Sequence, residues 1–143
     1  MATQVTGFDN VMRNLNAEIK AIKGRSMKGL IEGVAIIHRG TETQTPKVPV
    51  DTGNLRNSWF TTPGSFMGSP YVQFGYTANY AAFVHEMVGA DFTSARPRYD
   101  KRTKKMKMYT PRKGAGAKFL ETAITDNKEE ILEVVRKNAY IKK

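Results

Sequence analysis

Phe8, Met12, Leu15, Ile19 and Ile22 recur at steps of four, three, four and three, which is the narrow apolar stripe of an amphipathic helix. The spacing predicts a helix over about residues 9–23, with Asp9 or Asn10 able to cap its start. Gly24 weakens that helix and Ser26 can cap a new one, so a break or kink is expected between them. Met27, Leu30, Ile31, Val34 and Ile37 resume the stripe to about Arg39. Gly40 is then a natural stop, and residues 41–48 read as a polar connector.

The period changes after Ser58. Residues 58–62 and 70–76 are rich in aromatic, β-branched and hydroxyl side chains, and the turn-forming run 63–69 lies between them. They predict a β-hairpin over 58–76 with a long loop. Trp59, Phe60, Tyr71 and Phe74 are its expected core residues. A short helix over 78–87 follows, where Ala81 and Ala82 permit close packing, and Gly89 ends it. Pro97, Pro111, Gly114 and Gly116 argue against continuous structure in the next segment, although Met106, Met108 and Tyr109 interleave with lysines as a local hairpin would. Phe119, Leu120, Ala123, Ile124, Ile131, Leu132 and Val135 predict one long helix over 117–138, with Glu129, Glu130 and Glu133 on its outer face. The fold class is α+β: a small antiparallel sheet packed against long N-terminal and C-terminal helices, with an extended basic loop over about 91–116. A chain of 143 residues fits a single domain, residues 1–143.

Charge sharpens this picture. The formal net charge is +10, but it is not evenly spread. Arg96, Arg98, Lys101, Arg102, Lys104, Lys105, Lys107, Arg112 and Lys113 crowd one segment, opposed only by Asp100. The rest of the chain is nearly balanced. Such crowding predicts an open, mobile segment until compensating negative charge arrives. No cysteine is present, which excludes disulfides and thiolate chemistry. No apolar run approaches the length of a membrane span, and the first residues lack a signal-peptide pattern. A soluble protein made in the cytoplasm is therefore expected, with no membrane partner.

Enzyme chemistry finds little footing. His38 and His85 have no neighbours at ligand or triad spacing. His85-Glu86 lacks the second histidine of a metalloprotease pair, and no glycine-rich phosphate loop occurs. Nothing in the sequence brings Asp51 and Asp91 together as a carboxylate pair. No catalytic residue, metal or cofactor is expected.

Three blocks carry a resemblance to a known family. The first is Pro49-Val50-Asp51-Thr52-Gly53-Asn54-Leu55-Arg56-Asn57-Ser58. It reads as a tight corner: Pro49 cannot continue a helix, Asp51 can accept from backbone N–H groups just ahead, and Gly53 permits positive φ. The second is Asn79-Tyr80-Ala81-Ala82-Phe83-Val84-His85-Glu86, and the third Lys118-Phe119-Leu120-Glu121-Thr122-Ala123-Ile124 before a charged helix. In order and rough spacing, over about residues 10–138, these resemble the neck, tail-completion or minor capsid proteins of tailed bacteriophages. The segment 91–113 is longer and more basic than in a minimal member.

The resemblance implies a structural virion protein at the head–tail junction, made in the host bacterial cytoplasm. It implies a homo-oligomeric ring, hexameric as the first expectation and dodecameric as the alternative. Its neighbours would be a head-closure or adaptor protein on one side and a tail-tube or tail-terminator protein on the other. Pro49, Asp51, Thr52, Gly53, Leu55 and Arg56 would then support an interface. The basic segment has three readings: a solvated surface, a nucleic-acid contact in which each cation releases counterions, or an assembly arm on an acidic neighbouring surface. The resemblance favours the arm. A small nucleic-acid-binding protein acting through residues 96–113 is the rival function. The stripe Met12, Leu15 and Ile19 reads first as a core face, and alternatively as a helix interface between subunits.

Overall fold

The computed structural model describes residues 7–140. Its elements are α1 (Phe8–Thr43), α2 (Asn54–Asn57), β1 (Trp59–Phe66), β2 (Ser69–Tyr76), α3 (Ala81–Glu86), β3 (Arg96–Asp100), β4 (Lys105–Tyr109), α4 (Phe119–Asp126) and α5 (Lys128–Ala139). The class is α+β: a long N-terminal helix, two small antiparallel sheets and a helical C-terminal part.

The expected break near Gly24 does not occur. α1 runs unbroken for 36 residues, about 54 Å at helical rise. Glycine weakens a helix by about 1 kcal/mol relative to alanine, and packing further along α1 offsets that cost. Gly29 and Gly33 are buried where α5 crosses: a Cβ on Gly29 would stand 3.0 Å from the Asn138 Cβ, and one on Gly33 3.1 Å from the Ile131 Cγ2. Gly40 is likewise an approach point and not a stop, because a Cβ there would meet Ala123 at 3.0 Å. Neither Asp9 nor Asn10 caps the helix; Gly7 stands at its N-cap, without a side-chain bond.

The predicted single C-terminal helix is two. Asn127, 6% exposed, sits between α4 and α5 and donates through Nδ2 to the Ala123 carbonyl (2.6 Å) and to the Gln44 Oε1 (2.7 Å). Gln44 returns a bond from Nε2 to the Asn127 Oδ1 at 2.9 Å. The bend is thus held by a reciprocal amide pair that satisfies a buried polar side chain.

β1 and β2 pair from Trp59↔Tyr76 to Phe66↔Ser69. The loop expected over 63–69 contracts to two residues. Met67 and Gly68 both have positive φ, 48° and 79°, as a tight hairpin turn requires. Trp59 stacks on His38 of α1 with centroids 4.5 Å apart and meets the edge of Tyr76 at 5.1 Å. Tyr76 meets Phe119 edge-on at 5.6 Å. Val48, Leu55 and Phe119 form the buried centre, with Tyr76, Ala78, Ala81, Val84 and Leu120 packed round it. Ala123 and the α1 residues Val34, Ile36 and Ile37 are also buried.

The first half of α1 has no such cover. Phe8, Val11, Met12, Leu15 and Ile19 are 61, 63, 40, 51 and 41% exposed. The core reading of Met12, Leu15 and Ile19 is therefore corrected. Their spacing made a helix, but no element among the described residues packs against it.

Candidate assembly surface

The corner 49–58 is built differently from the expectation in one respect. Gly53 has φ 83° and leads into the single turn of α2, so its positive φ is as expected. Thr52, not Asp51, serves the turn, its Oγ1 accepting from the Asn54 amide at 3.3 Å. The Asp51 carboxylate instead reaches outward to Arg98 Nη1 of β3 at 2.9 Å. Leu55 enters the core at 4% exposure. Ser58 closes the corner: its carbonyl accepts from the Thr77 amide (2.8 Å) and its Oγ from the Ala78 amide (3.1 Å).

Glu42 at the end of α1 is the junction's centre. Its Oε2 accepts from Arg56 Nε at 2.8 Å and lies 3.0 Å from Arg112 Nη2. Arg112 also donates to the Glu42 carbonyl, and the Tyr109 hydroxyl donates to the Val50 carbonyl. The Lys47 amide donates to the Gly114 carbonyl at 2.7 Å. Helix α1, the corner and the foot of the basic segment are thereby fastened at one place. The sequence reading missed Glu42. Its one signal was isolation, as the sole acid between Glu32 and Asp51.

The basic segment is not an open loop. Residues 96–109 fold into the β3–β4 hairpin, paired from Arg96↔Tyr109 to Asp100↔Lys105. Two aspartates organise it. Asp91 Oδ1 accepts from the Thr93 amide (2.8 Å), the Thr93 hydroxyl (2.9 Å) and the Ser94 amide (2.9 Å). Bonds from Ser94 and Thr93 hold its carboxyl well below the usual carboxylate range. Asp100 is depressed likewise, first by Lys107 at 2.7 Å, then by Thr103 and the Arg102 amide. Of the nine cations, Arg98, Lys107 and Arg112 meet carboxylates, and Arg96 donates to the Asp91 carbonyl at 3.0 Å. Lys101, Arg102, Lys104, Lys105 and Lys113 form no ion pair among the described residues. Local carboxylates explain why crowded charge still permits order.

Between the corner, α3 and the hairpin lies a cavity of about 320 Å³, lined by apolar groups that include Val50, Leu55, Val84, Met87, Phe92 and Tyr109. Asp51 and Asp91 both reach its wall. Each is engaged, by Arg98 and by its own turn, so the two do not form a free carboxylate pair. His85 is also engaged on both ring nitrogens. Nδ1 lies 2.8 Å from Glu86 Oε1, and Nε2 accepts from the Glu121 amide at 3.3 Å. Its ring meets the edge of Phe119 at 5.1 Å. Lys118 bonds Glu86 and lowers its carboxyl, with His85 adding to the effect. No cluster of three or more metal-ligating side chains occurs among the described residues, and no helix there is long and apolar enough to cross a membrane.

Compared with known proteins, the chain matches no family model, no curated protein and no solved structure.

Proposed function

We propose that this chain is a structural protein of a tailed-bacteriophage virion, placed at the head–tail junction, where copies join as a ring. The observation that carries this is the joint at the corner 49–58. The residues whose wording resembles the neck proteins also bind the basic hairpin to the body, through Asp51–Arg98 and Arg56–Glu42–Arg112. The corner therefore sets the angle at which the hairpin stands, as an interface support would. The uncovered apolar face of α1 adds support, since a free monomer rarely leaves so long a stripe in water. Hexameric symmetry follows the resemblance alone. In a phage carrying this gene, a nonsense mutation should yield filled heads and separate tails, and the supplied protein should restore joined particles. Normal joined particles without the protein would overturn the proposal.

A nucleic-acid role is the second reading. It is favoured by the unpaired tip cations and by Tyr99, 54% exposed and able to stack on a base. Binding of the purified protein to nonspecific DNA with a steep salt dependence is its signature.

A further inference from the structure

Strand register divides the β3–β4 hairpin into two unlike faces. Arg96, Arg98 and Asp100 pair across with Tyr109, Lys107 and Lys105, so these share one face; Pro97, Tyr99, Met106 and Met108 share the other. Arg98 and Tyr109 reach Asp51 and Val50, which turns the polar face toward the corner. The apolar face is left in solvent, with Tyr99, Met106 and Met108 exposed by 54, 62 and 65%. Lys101, Arg102 and Lys104 stand at the turn beside it. A two-stranded ribbon is only marginally stable in water without a surface to pack on.

The complementary surface is on the same chain. Asp126, Glu129 and Glu133 on α4–α5 are exposed and make no ion pair among the described residues, and Tyr140, which lines a surface hollow with Glu133, Arg136 and Lys137, is 66% exposed. No ion pair links these acids to the hairpin within the chain.

We propose that the hairpin of one copy docks on the α4–α5 face of a second copy, its tip cations against Asp126, Glu129 and Glu133 and its apolar face over Tyr140. This rests on the ring reading above and supplies its contact. Two different surfaces meet, so the contact is heterologous and repeats head to tail until it closes. The exposed hairpin side chains present on the order of 400 Å² of apolar surface, against the ~800 Å² each partner of a stable interface buries. The flanking cations extend the contact toward that area. Nucleic acid would need cations facing outward along the ribbon, whereas the outward face carries methionines.

The test reverses charge on each side. One variant carries Lys101→Glu, Arg102→Glu and Lys104→Glu; another carries Asp126→Lys, Glu129→Lys and Glu133→Lys; circular dichroism confirms that both fold. In sedimentation experiments wild type should associate, less so at high salt. Each variant alone should associate at least about tenfold more weakly, because facing like charges repel, and mixing the two should restore association. Because the chain has no cysteine, Met106→Cys with Tyr140→Cys should oxidise into a ladder of linked multimers. Association of wild type that neither variant weakens overturns this contact and leaves the ring reading standing. Wild type that stays monomeric, together with a double-cysteine variant that forms no ladder, overturns the contact; absence from purified joined particles is what would remove the ring reading itself. Loss of DNA binding in the hairpin variant, with association unchanged, assigns the hairpin to nucleic acid instead.

Discussion

Arg112 meets the Glu42 carboxylate at 3.0 Å and also donates to the Glu42 carbonyl, across 70 residues of sequence. The pair is mostly shielded, with side chains 23 and 16% exposed, and it ties the foot of the basic hairpin to the end of α1. One Arg112 nitrogen and the second Glu42 oxygen are buried without a partner, so the joint has little slack for a lost bond.

Glu42→Gln keeps an acceptor but removes the charge that two guanidiniums share. The expected loss is about 1–3 kcal/mol, the range for leaving a buried donor poorly satisfied. Chemical denaturation measures it. Amide exchange in β4 should rise more than in α1, because the lost contact anchors the hairpin first. Unchanged denaturation and exchange would show that the joint is held elsewhere.

Gly53→Val tests the corner. The φ of 83° at Gly53 costs a residue with a Cβ about 1–2 kcal/mol, although a Cβ there would meet only Asn57, at 3.5 Å. The penalty is therefore backbone strain and not a clash. Gly53→Ala should lose about that much in thermal unfolding and Gly53→Val more, because a β-branched side chain resists positive φ further, with Gly53→Asn milder, since Asn tolerates that conformation. Alanine as stable as glycine here would mean that φ does not decide this position.

Local chemistry was legible in the sequence wherever a residue's own backbone preference settled the matter. Gly53, the strand character of 59–62 and 70–76, and the helical stripe of α1 follow from such preferences. What stayed hidden depends on partners distant in sequence. The helix continues through Gly24 and Gly40 because α4 and α5 pack on Gly29, Gly33 and Gly40. The C-terminal helix bends at Asn127 because Gln44 is there to answer it. The β3–β4 hairpin was foreshadowed by Met106, Met108 and Tyr109 interleaving with lysines, but its footing on the corner through Asp51 and Arg98 was not. The apolar stripe on α1 was read correctly as a helix face, yet periodicity says nothing of what covers it.

Leu15→Asp exploits that exposed face. At 51% exposure the substitution buries no charge, so the fold should survive with a change of no more than about 0.5–1 kcal/mol, mostly from helix propensity. Thermal unfolding and circular dichroism check this. A collapse of the fold would mean that α1 is covered within the chain after all. A folded variant that no longer enters particles assigns the stripe to a neighbour.

Acid should loosen the hairpin before the helices. Asp100 is held below the ordinary aspartate value by Lys107, Thr103 and the Arg102 amide, and Asp91 by Ser94 and Thr93. A carboxyl depressed by folding stabilises the fold above its unfolded pKa, about 3.9. That stabilisation fades as pH falls below this value and is gone once the folded pKa is passed. Asp91 is exposed and the Asp100 side chain is 26% exposed in a ribbon outside the core, so the effect is local ordering and not global stability. Protonation also leaves Lys107 beside Lys105 and the tip cations without a counter-charge, and their repulsion opens the ribbon. Amide exchange or NMR between pH 6 and pH 2 should show β3–β4 losing protection below about pH 4, while the α1–α5 packing persists. Asp100→Asn should weaken protection at neutral pH and flatten the acid response of the turn. An acid profile unchanged in that variant would place the ordering of the hairpin in its strand pairing alone.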